Sequence, residues 1–166
     1  MVILKFIMMK KINILLLLAM MIITASCKKD VKPGETAAVN AANGWWVTFT
    51  LDGADVYRLG TFFLNTYNTS VNDDSLWVDD LGNSWRFKVK TKIDYSNLTF
   101  STANSQNQYY NITVDITDGK ILKNAGRSKS GNPTDSIYFK ANFSDDPTSI
   151  YVISGTARTG FIEDDY

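Results

Sequence analysis

The sequence predicts an all-β domain, an eight-stranded antiparallel up-and-down barrel, and three observations support it. Apolar and polar residues alternate with a period of two through most of the chain after Gly44. Turn residues separate these runs at short intervals, and the spacing leaves no room for long crossover connections. We find no convincing amphipathic helix in this region. Short strands joined by hairpins are typical of a barrel or a sandwich, and the recurring hairpins favour the barrel.

The clearest strand runs from Trp85 to Ile93. Neighbouring strand side chains point to opposite faces, so one face of this segment is apolar and the other strongly basic. The apolar face holds Trp85, Phe87, Val89 and Ile93, and the basic face holds Arg86, Lys88, Lys90 and Lys92. The predicted strands are 44–51, 55–67, 75–80, 85–94, 97–102, 109–117, 135–143 and 149–158, with 120–122 as a short extra piece.

Turn signals lie between these runs. Asp52-Gly53 follows the first strand, and Leu81-Gly82-Asn83 predicts a hairpin before Trp85. Asp118-Gly119 predicts a second hairpin, between 113–117 and 120–122, because Asp-Gly is a preferred two-residue hairpin turn. Asp145-Asp146-Pro147 predicts a third.

The first 26 residues predict a secretory signal peptide. Lys10 and Lys11 precede an apolar run of about a dozen residues, which is shorter than the roughly 20 that a spanning helix needs. Small residues then lead to Cys27, the only cysteine of the chain. This arrangement is similar to the lipobox of bacterial lipoproteins, in which the cysteine becomes the acylated N-terminus. We therefore expect lipid attachment at Cys27, with an ordinary signal peptide as the alternative.

Three segments follow from this pattern: a signal peptide over 1–26, a flexible tether over 27–43 and the barrel domain over 44–166. Removal of the signal takes away three lysines and no acid, which leaves 14 basic against 17 acidic residues. A slightly acidic domain is unsuited to nucleic acid, which requires a basic surplus.

Composition also restricts the chemistry. The chain has no histidine, which excludes Ser-His-Asp and Cys-His catalysis, and its single cysteine excludes a CxxC site. The paired acids Asp73-Asp74, Asp79-Asp80, Asp145-Asp146 and Asp164-Asp165 are the remaining catalytic type. We interpret them as turn residues, with calcium ligation or carboxylate-dependent hydrolysis as the alternatives. We expect no cofactor and no metal, and the sequence identifies no catalytic residue.

Aromatic side chains provide the candidate binding residues. Either they form a packed core, or Tyr67, Trp77, Trp85 and Phe87 line an apolar pocket inside a partly hollow barrel. Trp46 shares its strand face with polar Thr48 and could bind a sugar or a partner, or cover an end of the barrel.

Six segments resemble one family across nearly the whole domain: WWVT at 45–48, TYNT at 66–69, LWVDDLGN at 76–83, WRFKVK at 85–90, GNPTDSIYF at 131–139 and SGTARTGF at 154–161. The family is that of the Bacteroidetes lipoproteins called lipid-binding putative hydrolases. The resemblance implies a calycin-like barrel, the architecture of lipocalins, and supplies no catalytic residues.

Together these observations predict a lipid-anchored cell-envelope protein, held at the outer membrane through Cys27, whose barrel binds a small apolar or lipid-like ligand without catalysis. The alternatives are a surface module that binds glycan or protein, for example through Trp46, and a carboxylate-dependent hydrolase.

Overall fold

The computed structural model describes residues 35–166. Eight antiparallel strands form a closed barrel in which each strand pairs with the next and β1 pairs with β8. The strands are β1 (Asn43–Leu51), β2 (Phe62–Asn68), β3 (Ser75–Asp79), β4 (Lys88–Asp94), β5 (Thr99–Gln106), β6 (Thr113–Arg127), β7 (Pro133–Phe143) and β8 (Asp146–Ala157), followed by one short 3₁₀ turn, Ile162–Asp164. The predicted fold class is confirmed. Within the described part of the chain, no helix has the length and apolar character needed to cross a bilayer.

Alternation along each strand places one set of side chains inside the barrel. On β1, Trp45, Val47 and Phe49 are buried, and each lies beside partly exposed neighbours that face outward. The largest buried side chains come from several strands and include Tyr151, Phe87, Phe139 and Phe143. An eight-stranded barrel has an interior just wide enough for its own side chains to fill, and here aromatic rings occupy much of it.

Strand β6 differs from the prediction. Asp118-Gly119 does not form a hairpin, because β6 continues through it to Arg127 and its register against β7 shifts between Thr117 and Lys120. Asp118 has a φ of 55°, and the buried positions change from even numbers to odd numbers after it. The dipeptide is therefore a β-bulge, in which one extra residue restores the contact of the apolar face with the core.

The segment 55–61, predicted as the first half of a long strand, is a loop. Arg58 has a φ of 57° and Gly60 a φ of 63°, so the chain turns here. The Asp55 carboxylate accepts hydrogen bonds from the Leu59 and Gly60 amides at 3.0 and 2.8 Å. These bonds make the loop compact, and β2 begins only at Phe62.

The two ends of the barrel differ. We call the end at which the chain enters the entry end; there, Ala38 and Ala41 are buried against the core. The Thr66 hydroxyl accepts a hydrogen bond from Trp45 Nε1 and donates one to the Ala41 carbonyl. The last third of the predicted tether is thus part of the folded domain. The predicted signal peptide 1–26, Cys27 and the tether as far as residue 34 lie outside the described residues.

The opposite end, which we call the loop end, carries four of the connections between consecutive strands: 52–61, 80–87, 107–112 and 144–145. The first of these connections carries Tyr57 and the second carries Trp85, and in the structure the rings of these two residues are in contact. The loop end therefore brings together side chains that are far apart in sequence.

Candidate functional site: a cleft at the loop end

All four connections of the loop end contribute to one open cleft of about 700 Å³, which we call the Trp85 cleft. Its lining comprises Tyr57, Leu59, Ser84, Trp85, Arg86, Tyr110 and Asp145. Sites built from several loops on a rigid barrel are a common arrangement for ligand binding, because the loops can vary while the scaffold holds them in place.

An aromatic stack forms the floor of this cleft. The Trp85 ring lies parallel to Phe143, with centroids 4.9 Å apart, and Phe49 lies 6.1 Å away on the same apolar side. Tyr57 meets Trp85 edge-on at 5.5 Å. Since Phe49 and Phe143 are completely buried, Trp85 closes the barrel interior and presents its remaining surface to the cleft.

A carboxylate holds the floor in position. Trp85 Nε1 donates a hydrogen bond to one oxygen of Asp145 at 3.1 Å, and the Tyr110 hydroxyl donates to the other oxygen at 3.1 Å. Burial and the hydrogen bond to Asp145 raise the pKa of Tyr110 to about 12, so its phenol keeps its proton at neutral pH. Both oxygens of Asp145 therefore accept hydrogen bonds from side chains of the protein itself.

Arg86 is the one cationic side chain among the described residues that line the cleft. Its side chain is exposed, and among residues 35–166 no carboxylate lies within 4.0 Å of its guanidinium. Its φ of 57° is unusual for a non-glycine residue and is maintained by the surrounding loop. An exposed guanidinium beside an apolar floor is suited to an acidic group attached to an apolar body.

The loop that presents Trp85 and Arg86 is organised by Asp80, a completely buried carboxylate. One oxygen accepts hydrogen bonds from the Gly82 and Phe87 amides at 2.8 and 2.9 Å. The other accepts from the Ser84 amide and hydroxyl and from the Arg86 amide, at 2.8 to 3.0 Å. Five donors to one side chain fix residues 82–87, so the cleft is preformed.

The neighbouring carboxylate, Asp79, also accepts several hydrogen bonds. Its oxygens accept hydrogen bonds from the hydroxyls of Tyr67 and Tyr109 at 2.8 and 2.6 Å, and from the Leu81 amide at 2.9 Å. Burial and the contact with Asp79 raise the pKa of both phenols well above the ordinary value of 10.0. Asp79 thereby ties the 107–112 connection to β3.

Members of the other acid pairs also accept hydrogen bonds in turns and near the chain end, in line with their interpretation as turn residues. Asp146 accepts from Tyr151 at 2.6 Å, and Asp164 accepts from the Ser130 amide and the Thr159 hydroxyl, both at 2.7 Å. Among residues 35–166, no three His, Cys, Asp or Glu side chains come together in a way that could hold a metal ion. Of the residues that the structure describes, Asp145 is the one carboxylate lining the Trp85 cleft, and both its oxygens accept hydrogen bonds.

The structure separates the five aromatic residues that the sequence singles out. Trp85 forms the cleft floor, and Phe87, which is completely buried in the core, contacts Phe143, the ring that stacks on Trp85. Tyr67 and Trp77 are on the outer wall, paired across β2 and β3. Their roles in ligand binding, and that of Phe87, stay predictions.

Trp46 is also on the outer face. Phe63 and Tyr166 cover it, with ring centroids at 5.1 and 5.6 Å. Its ring nitrogen is buried and has no hydrogen-bond partner among the described residues. This tryptophan therefore does not present a free ring for a sugar. Its predicted role as a binding residue stays untested.

Several cleft residues were missed by sequence reasoning. Tyr57, Leu59 and Tyr110 fall within the predicted strands 55–67 and 109–117, but the structure places them in connections, since β2 begins at Phe62 and β6 at Thr113. One signal was available: Tyr57 and Tyr110 are large aromatics in segments rich in turn residues, and such residues are often exposed for binding.

Comparison with known proteins agrees with the predicted family. A family model described as lipid-binding putative hydrolase matches residues 30–162. A crystal structure of a structural-genomics protein of unknown function from Bacteroides ovatus has a TM-score of 0.45 and 13% identity, over 76% of this chain and 43% of that chain. This chain thus spans less than half of that protein, and a likeness of this degree supports no conclusion. No curated protein matches the chain. The match over most of the described barrel confirms the resemblance found in the sequence: the chain belongs to the family of lipid-binding putative hydrolases.

Proposed function

We propose that this protein is a lipid-anchored cell-envelope protein that binds a small amphiphile, an apolar body with an acidic head, in the Trp85 cleft. The observation that carries the proposal is the pairing of an aromatic floor with Arg86, whose guanidinium has no carboxylate within 4.0 Å among residues 35–166. The family description, which names lipid binding, supports the same class of ligand.

The cleft is a better location for the ligand than the barrel interior. The largest interior side chains, among them Phe49, Phe87, Phe139, Phe143 and Tyr151, are less than 2% exposed and in ring contact with one another. A ligand among them would have to displace close-packed rings, which is unfavourable in an interior of this density. The cleft needs no such rearrangement, because Asp80 fixes its loop.

The chemistry of the lining indicates how the ligand would lie. An alkyl chain would cover Trp85, Tyr57 and Leu59 and remove apolar surface from water, at roughly 25 cal/mol per Å². Its acidic head would reach the Arg86 guanidinium, which binds carboxylate and phosphate in a bidentate fashion. We infer no catalysis, because the nearest carboxylate, Asp145, is held by Trp85 and Tyr110.

Calorimetric titration of the full chain with laurate and with methyl laurate tests this assignment. We expect laurate to bind more tightly than its ester, because only laurate carries the charge that Arg86 recognises. Trp85→Ala should weaken laurate binding at least tenfold, and Arg86→Gln should remove the preference for laurate over the ester.

Tyr138→Ala is the matched control, since Tyr138 is a partly buried aromatic residue on the outer wall, on β7. Circular dichroism would show that each variant is folded. Absence of laurate binding to the wild type, or equal loss in Tyr138→Ala and Trp85→Ala, would remove the cleft from consideration.

Anchoring through Cys27 is the second part of the proposal, and the outer membrane is the expected location. The lipobox-like sequence around Cys27 supports it. Palmitate labelling in the native host, followed by detergent phase partitioning, is the test. The wild type should carry label and enter the detergent phase, whereas Cys27→Ala should carry none. Label in Cys27→Ala would contradict the assignment.

A further inference from the structure

The outer surface of β2, β3 and β4 combines aromatic and basic side chains in one patch, which we call the basic wall. It consists of Tyr67, Trp77, Lys88, Lys90 and Lys92. Tyr67 is paired with Trp77 across β2 and β3, and Trp77 is paired with Lys90 across β3 and β4. The register of three neighbouring strands therefore places these residues on one face.

Two of the lysines lie over the rings. The Lys88 ammonium is 5.5 Å from the Tyr67 centroid and 5.2 Å from that of Trp77, and the Lys90 ammonium is 5.8 Å from Trp77. These distances are within the range of cation–π attraction. The rings hold the ammonium groups against the wall while leaving them open to solvent on the outer side.

Little negative charge offsets these lysines. Asp74 is paired with Lys92 at 3.6 Å, but both side chains are mostly exposed, so the pair is weak. Asp79 lies opposite Lys88 in the β3–β4 pair, but it is buried and accepts hydrogen bonds from Tyr67 and Tyr109. Among residues 35–166, no carboxylate lies within 4.0 Å of the Lys88 or Lys90 ammonium. The wall is therefore complementary to an anionic surface.

The point at which the chain enters the domain favours a membrane as that surface. The Ala37 amide donates a hydrogen bond to Asn72 at 2.7 Å, so the entering chain contacts the β2–β3 turn, which lies at one end of the basic wall. At the tip of the same turn, Val71 is 71% exposed. Eight peptide steps separate Cys27 from Glu35 and span at most about 28 Å.

We propose that the basic wall is a second membrane contact, which binds anionic phospholipid headgroups at the bilayer surface. The inference rests on the proposed anchoring at Cys27. A short tether gives the basic wall a millimolar effective concentration at the bilayer. Even a weak affinity of the wall for headgroups is then enough to keep the wall bound to the membrane. Trp77 and Tyr67 would lie at headgroup level, where such rings are favoured.

The strength of this contact follows from the number of lysines. Each lysine near an anionic surface contributes about a fivefold preference, so Lys88 and Lys90 together contribute about 25-fold. This effect is electrostatic, and concentrated salt should abolish it.

Hydroxyl-radical footprinting of the acylated full chain tests the proposal, on phosphatidylcholine vesicles with and without phosphatidylglycerol. We expect Trp77 to be oxidised at least fivefold more slowly when phosphatidylglycerol is present, and this protection to disappear in 0.5 M NaCl. Lys88→Gln with Lys90→Gln should abolish the protection.

The matched control is Lys120→Gln with Lys140→Gln. It also removes two charges, from β6 and β7, which are not part of the basic wall, and Lys120 likewise lies over a ring, that of Tyr138. This control should keep the protection. Equal oxidation of Trp77 on both vesicles, or protection that survives Lys88→Gln with Lys90→Gln, would overturn the proposal. So would protection by a soluble acidic polysaccharide in place of the vesicles, which would assign the wall to glycan.

Vesicle flotation separates this result from the anchoring. A chain that floats with neutral vesicles but shows no lipid-dependent protection refutes the wall contact alone. A chain that does not float with neutral vesicles refutes the anchor. In that case, protection of Trp77 on phosphatidylglycerol vesicles would still support the wall contact, and its absence would refute it.

Discussion

Replacement of Asp80 by alanine should destabilise the barrel by about 4 kcal/mol, because four backbone amides would lose a charged acceptor in a buried position. The carboxylate accepts from the amides of Gly82, Ser84, Arg86 and Phe87 at 2.8 to 3.0 Å. Each amide left without a partner would cost roughly 1–3 kcal/mol, and water entering the vacated space would recover part of the sum. Urea unfolding followed by circular dichroism measures the change. With a slope near 2 kcal/mol per M, we expect the midpoint to fall by about 2 M.

Asp80→Asn is a stricter test of the same reasoning. It keeps the shape of the side chain but replaces one acceptor oxygen by an amide group, which faces donors of the loop. We expect a smaller but clear fall in the midpoint. Asp55→Ala is the control, since this carboxylate also caps loop amides but is exposed, and its replacement should have a much smaller effect. An unchanged midpoint in Asp80→Ala would refute the view that this side chain organises the loop.

Three further outcomes are expected. Gly155→Ala should destabilise the folded protein by roughly 3 kcal/mol or more, because a Cβ at this position would overlap the backbone of Trp46 across the β1–β8 pair. Thermal melting measures this loss, and an unchanged Tm would refute the expectation. Phe139→Ala should lose about 3–5 kcal/mol in urea unfolding, because Phe139 is completely buried; a loss below 1 kcal/mol would show that the core collapses around the gap. Stability should be full below pH 10 and fall above it, because the folded pKa of Tyr110 is raised to about 12 and the folded state retains a proton that the unfolded state releases. Tyr110→Phe should reduce this alkaline fall, and an equal fall in both proteins would contradict the assignment.

Much of the barrel could be predicted because the alternation of side chains is visible without any tertiary information. The segment 44–51, predicted as a strand, is β1, and its alternate residues Trp45, Val47 and Phe49 are buried. Asp118-Gly119 shows where local sequence is insufficient. The same dipeptide favours a hairpin or a bulge, and the choice depends on Gly119, which lies so close to the Phe100 backbone that no Cβ would fit there. That contact exists only in the closed barrel.

The candidate site was less predictable for a related reason. Its residues come from four connections, and of the lining residues only Trp85 was predicted to bind a ligand. Tyr67 and Trp77 are large aromatic residues of the kind found in barrel interiors, yet the pairing of β3 with β2 and β4 places them outside beside Lys88. A shift of one residue in register reverses the face of every side chain in a strand, and composition does not determine that register.

The aromatic stack below the cleft has a consequence for how this family can change over time. Phe143 contacts Trp85 on one side and the core residue Phe87 on the other. Binding of the proposed amphiphile in the cleft would raise the melting temperature, as any ligand that prefers the native state does. The affinity for that ligand and the thermostability of the barrel would then depend on the same rings, so selection acting on one would constrain the other.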